Sequence, residues 1–63
     1  MDFAGATEAM GNNQYVKRQD WVVVLWPDYG GALVTSEPGD TQGEPWQPLL
    51  QDIKANDWEV VSG

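Results

Sequence analysis

The sequence contains no cysteine and no histidine. The first absence excludes disulfides, and the two together remove the usual sulfur and nitrogen ligands of a zinc site. Histidine is also the commonest general acid–base residue, so its absence narrows the catalytic options. A cysteine-free composition is compatible with the cytosol. Basic residues are scarce: three Lys and Arg stand against ten Asp and Glu, for a formal charge of −7. Nucleic-acid-binding modules need a basic stripe, and adhesion to anionic lipid needs clustered cations. Neither nucleic acid nor membrane is therefore an expected partner. No apolar run approaches the ~20 residues that span a bilayer. The stretch Met1–Gly5 lacks the basic and apolar regions of a signal peptide. No nucleophile elbow, phosphate loop, EF-hand spacing or metal-ligand cluster is present. The expectation is a non-enzymatic protein with no metal and no cofactor.

Tryptophan is abundant instead, with four in 63 residues, at positions 21, 26, 46 and 58. The length makes residues 1–63 a single domain, and one this small buries only about 60% of its unfolded surface. Four indoles exceed what such a core can hide. Disulfides and zinc being excluded, oligomerisation is the remaining reinforcement for so small a scaffold.

The chain reads as α+β. Asp2 caps a helix running to about Met10, with Phe3, Ala6 and Met10 on one apolar stripe and Gly11 placed to stop it. Phe3 and Met10 read as core. Gln14 to Arg18 reads as a short strand with Lys17 and Arg18 on opposite faces. Trp21 to Trp26 is the strongest strand pattern, apolar on both faces, so both need cover. One face suits the helix, and a neighbouring subunit is the economical cover for the other. Pro27–Gly31 is a turn and Ala32–Thr35 the returning strand. Ser36–Pro45 reads as a polar loop. Leu49, Leu50 and Ile53 form an apolar edge on one or two helical turns, and Trp58–Val61 is the last strand. The expected fold is an N-terminal helix packed on a small antiparallel sheet, with a short helix before the last strand, assembled as a homo-oligomer.

The spacing Val16-Lys17-Arg18-x-x-Trp21, then Trp46-x-Pro48 and Asp52-Ile53-x-Ala55-x-Asp57-Trp58-Glu59-Val60, resembles the second Thoeris anti-defence family of small phage proteins. The likeness covers both ends of the chain, while Val22 to Glu44 is shorter than the family's pattern. The resemblance implies an immune-evasion protein in the cytoplasm of the infected bacterial host. It implies an oligomeric sponge, a tetramer first, for a cyclic nucleotide-like signal. Glycocyclic ADP-ribose is the first ligand implied, with cyclic di- or trinucleotides next.

Each candidate residue has two readings. Trp21 is either packed against the helix stripe or stacked on a base, and the resemblance favours stacking. Trp46 follows a Pro- and Gly-rich loop, so it is half-exposed, and in the resembling family it lines the pocket. The acid that the family places nearby matches Asp52, with Gln51 one residue away. Either would hold a ribose or base edge, and Asp52 has a helix-turn hydrogen bond as its other role. Asp52 and Asp57 flank a turn and read as caps. Lys17 and Arg18 either meet the ligand's phosphates or pair with the chain's own acids. Trp26, beside Pro27 and Tyr29, suits an interface between hairpins. Trp58, opposite Glu59 in period 2, reads as core or subunit interface ahead of ligand. A tetramer would carry 4 × −7 = −28, so an anionic ligand must be held by short-range contacts. A different class of function uses that charge directly, as an acidic DNA mimic blocking a nuclease or repressor. The scattering of the carboxylates among turns weighs against it. A structural module of a virion or host complex is the plainest reading.

Overall fold

The computed structural model describes residues 1–61. Asp2 opens the fold: its Oδ1 accepts the Gly5 N–H at 2.9 Å and caps helix α1 (Phe3–Gly11). The predicted stripe is the buried face, with Ala6 and Met10 joined by Ala9 and with Phe3 half-buried at its start. Gly11 is the last helical residue rather than the stop, and Asn12 caps the end. Asn13 then takes the left-handed conformation (φ 63°), which Asn tolerates better than most residues.

Strands β1 (Tyr15–Arg18), β2 (Val24–Pro27), β3 (Leu33–Ser36), β4 (Glu44–Pro45) and β5 (Trp58–Val61) form one antiparallel sheet, ordered β4-β3-β2-β1-β5. The short helix α2 (Leu50–Ile53) precedes β5. The architecture is the expected α+β. The last strand returns to pair with β1, setting Lys17 opposite Glu59 and Arg18 opposite Trp58. This brings the two ends of the chain together.

Directly opposed residues in an antiparallel pair share a face. Val16 and Leu25 face α1 and join Ala6, Ala9, Met10 and Trp58 in the core. Tyr15, Val24, Trp26, Val34 and Ser36 lie on the other face. Leu25, Val16 and Val24 are the largest fully buried side chains. Burying each contributes about 1.5–3 kcal/mol relative to exposure.

Three sequence expectations need correction. The second strand begins at Val24, not Trp21. The Trp21 N–H donates to the Arg18 carbonyl at 3.0 Å, closing a turn where the strand was expected. Val22 is left 86% exposed as a result. Part of the sheet face away from α1, for which a neighbouring subunit was the expected cover, is covered by the chain itself. The connection Glu37–Gly43 returns over it, and the Gly43 backbone lies so close to Val34 and Trp26 that a Cβ there would stand 2.5 Å from Val34 Cγ2. The end of that expected loop is β4, a two-residue edge strand ending in Pro45, which tolerates an edge because it has no N–H to donate.

Candidate functional site

Three of the four indoles converge, although they stand 12 to 37 positions apart in the sequence. Trp58, the first residue of β5, sits at the centre. Its ring centroid lies 5.1 Å from Trp21, 6.2 Å from Trp46 and 5.4 Å from Phe3. Both indole contacts are edge-to-face, at 74° and 90°. Such contacts are worth about 0.5–1.5 kcal/mol each beyond area burial. Trp58 is 2% exposed, and its indole N–H donates to the Asp52 carbonyl at 2.9 Å. Of the two roles left open for Trp58, the burial selects core. It has no surface to offer a subunit interface.

Trp21 and Trp46 are half-buried against this base, 6.1 Å apart and inclined at 65°. They form two walls of a corner rather than a parallel clamp. The Trp46 N–H donates to the Leu33 carbonyl at 3.1 Å, anchoring that wall to β3. Trp21 is anchored by its turn. Lys17 Nζ donates to the carbonyls of Arg18, Gln19 and Trp21 at 3.2–3.4 Å and pairs with Glu59 at 3.0 Å.

Arg18 performs the matching task on the opposite face of β1. Its Nε donates to Asp57 Oδ1 and its Nη1 to Asp52 Oδ1, both at 2.9 Å. Its Nη2 reaches Asp57 Oδ2 at 3.4 Å. The guanidinium thus staples α2 to the turn before β5. Hydrogen bonds from Arg18 hold the Asp57 carboxyl below its ordinary range, and Asp57 with Asp52 raises the guanidinium above its own. Asp52 is 5% exposed and also accepts the Leu49 N–H at 3.4 Å. Its carboxylate is occupied by the fold. Gln51 is exposed on the same helix. The sequence left Asp52 and Gln51 as alternatives for a ligand contact, and the geometry leaves the open side chain to Gln51.

Both strand cations are therefore paired with the chain's own acids. The remaining sequence candidates lie elsewhere. Trp26 stacks on Tyr15 across the sheet face away from α1, and Tyr29 stands fully exposed at the β2–β3 turn. The sequence reading missed Tyr15 and Phe3 as partners of indoles, because only the strand order and helix docking bring them close. Next to the corner, Leu49, Leu50 and Ile53 are 57%, 69% and 43% exposed. The apolar edge read from the sequence exists, and nothing within the described residues covers it. Among the described residues no group of three Asp or Glu side chains converges as a metal site, and no helix is long and apolar enough to cross a membrane.

Fold and site together define a small α+β domain that mounts half-exposed indoles on a buried aromatic base. The chain belongs to the Thoeris anti-defense 2-like (Tad2-like) domain family, whose model matches residues 1–61. That membership supports a phage anti-defence role. Neither the curated proteins nor the solved structures contain a match to the chain.

Proposed function

We propose that the protein sequesters a cyclic nucleotide immune signal and releases it unchanged, without catalysis. The observation that carries this reading is the pair of half-buried indoles, Trp21 and Trp46, held on the Trp58 and Phe3 rings beside an uncovered apolar edge. Each indole offers a ring face for one base, and base–aromatic stacking is worth about 1–3 kcal/mol per base. Gln51 is the side chain assigned to a ribose hydroxyl or base edge. Membership in the anti-defense family supports the choice of a signalling nucleotide, with glycocyclic ADP-ribose first and cyclic di- or trinucleotides next.

In this reading a second copy docks on Leu49, Leu50 and Ile53 and closes the corner into a pocket, and a tetramer is the favoured assembly. A sponge needs slow release rather than turnover, so exclusion of water around the rings matters most. Arg18 and Lys17 act as positioning residues that hold the Trp21 turn and α2. The ligand's phosphates are left to backbone N–H groups and to the second copy.

Calorimetry with glycocyclic ADP-ribose and with cyclic dinucleotides tests the reading directly. Trp46→Ala is expected to weaken the bound nucleotide by roughly 5- to 150-fold, the equivalent of one lost stack. Gln51→Ala is expected to weaken it less. A folded protein that gives no heat with any of these molecules sinks the proposal. Unchanged affinity in Trp46→Ala places the site elsewhere. A salt-sensitive complex with a nuclease, and no small-molecule affinity, would favour the DNA-mimic reading.

A further inference from the structure

The sheet face away from α1 carries a second aromatic platform, distinct from the indole corner. Tyr15 and Trp26 stand on neighbouring strands with ring centroids 5.9 Å apart and planes only 14° from parallel. Trp26 is fixed in place: its indole N–H donates to Ser36 Oγ at 2.9 Å. Tyr15 remains 39% exposed. A cavity of about 650 Å³ opens over the pair, and a second of about 570 Å³ adjoins it, sharing Tyr15, Asn13 and Thr41. Both lie within the volume range of small-molecule pockets. The Glu37–Gly43 connection forms part of the wall through Thr41 and Gly43.

The chemistry of the lining selects the ligand by charge. No Lys or Arg lines either cavity among the described residues, whereas Asp28 lines the first and Asp40 the second. Asp28 is held rigidly, with Oδ1 accepting the N–H groups of Gly30 and Ala32 at 2.9 Å each. Among the described residues no donor reaches its Oδ2. The site thus combines a stacked aromatic pair, an available carboxylate oxygen and, among the described residues, no cation. Aromatic faces and carboxylates both attract positive charge, and both oppose phosphate.

We infer that this groove is a second ligand site, taking a planar heterocycle that bears a positive charge and an amino donor. It is separate from the nucleotide site proposed above and does not depend on it. A series that keeps one ring and sugar while changing the charge tests it: 1-methyladenosine (cationic), adenosine (neutral) and adenosine monophosphate (anionic), titrated by tryptophan fluorescence and NMR shifts of Tyr15 and Trp26. Affinity should fall along that order, with the monophosphate at least tenfold weaker than 1-methyladenosine. Tyr15→Ser should weaken 1-methyladenosine at least tenfold while the protein stays folded, with only the modest fall in melting temperature that a lost stack on Trp26 brings, and with assembly mass unchanged. Asp28→Asn, which preserves the turn's acceptor oxygen, should erase the preference for the cation. Trp21→Ala should leave this binding intact while weakening the cyclic nucleotide, so failure at one site is distinguishable from failure at the other. The inference is overturned by no binding of 1-methyladenosine at millimolar concentration, by monophosphate binding as tight as the cation, or by Tyr15→Ser leaving affinity unchanged. A Tyr15→Ser protein that loses assembly mass overturns it too, because a second copy would then occupy the groove.

Discussion

Trp58→Phe separates a structural indole from a binding one. The substitution keeps a ring in contact with Phe3, Trp21 and Trp46 but removes the N–H that donates to the Asp52 carbonyl at 2.9 Å. That carbonyl keeps a weaker backbone donor, the Ala55 N–H at 3.3 Å, so it is not orphaned. The lost bond therefore costs its net value, about 1 kcal/mol. The vacated part of the indole leaves a void, because the site is 2% exposed and walled by three other rings. At about 24 cal/mol per Å³, a residual cavity of about 40 Å³ adds about 1 kcal/mol, and the lost transfer energy of the removed atoms adds a similar amount. The expected total is about 2–3 kcal/mol. A domain of this size has a total stability of about 3–9 kcal/mol. Each kcal/mol moves the midpoint of a small domain by about 4–8 °C, so thermal unfolding followed by circular dichroism should fall by about 8–24 °C. Trp21→Phe is the control. Trp21 is half-buried and its indole N–H makes no bond among the described residues, so its loss should stay near 1 kcal/mol. A Trp58→Phe shift below about 4 °C, or one equal to the Trp21→Phe shift, refutes the assignment of Trp58 as the keystone. A loss of assembly mass with no thermal shift would return it to an interface.

Gly43→Ala should destabilise by about 1–3 kcal/mol, because the new Cβ meets buried Val34 at 2.5 Å, while Gly11→Ala, with open space around it on the last helical turn, should raise the melting temperature slightly. The Asp57 carboxyl is held below its ordinary 3.8 by Arg18, so on acidification the unfolded chain takes up its proton first. Its contribution is present above that ordinary value and fades as pH falls through the lower folded one, so the acid limb of a stability–pH curve should be shallower in Asp57→Asn than in the parent. Leu50→Glu puts a charge on the 69% exposed apolar edge and should lower the assembly mass in native mass spectrometry while each chain stays folded. Raising salt from about 0.05 to 0.5 M should leave cyclic nucleotide affinity unchanged or improved, because screening relieves repulsion from a chain of charge −7. A tenfold fall in affinity would expose a cation contact that the ion pairs of Lys17 and Arg18 do not account for.

The parts of this fold that were legible in the sequence are those set by near neighbours. Asp2 caps, the Phe3–Ala6–Met10 stripe docks, and the period-2 run at Trp58 becomes β5 with Glu59 facing Lys17. Where a distant partner decides, the sequence pattern misleads. The unbroken apolar run from Trp21 to Trp26 is indistinguishable from a strand until Lys17 is seen gathering the carbonyls of the turn that displaces Trp21 and Val22. A two-residue strand ending in proline leaves no periodic signal, so β4 read as loop. The cover over Val34 and Trp26 comes from a glycine, whose message is only the absence of a side chain. For the site, the residue types were legible and their grouping was not. Locally Asp52 reads as a helix-turn cap, but that reading alone does not free or occupy its carboxylate. The difference arises because Arg18, 34 positions earlier, turns the Asp52 carboxylate inward.

The same two cations explain why so acidic a chain can present indoles at all. Trp21 lies in a turn and Trp46 beyond a two-residue strand, positions where backbone order is inexpensive to lose. Lys17 closes the first turn from one face of β1, and Arg18 ties α2 and the Asp57 turn beneath Trp58 from the other. Two neighbouring residues of one strand thus stiffen the Trp21 turn and the α2–β5 segment, while Trp46 is tied to β3 through the Leu33 carbonyl. In the proposed function a flat ligand would meet walls already in position, the ordering entropy otherwise lost on binding having been spent in folding. The consequence for charge is direct. Cations used as internal staples are withdrawn from the surface, so in the proposed sponge affinity would rest on ring faces and exclusion of water. Replacing Arg18 with an uncharged residue should accordingly loosen binding chiefly through faster release, as Trp58 and α2 lose their common anchor, and should leave the salt dependence of association as it was.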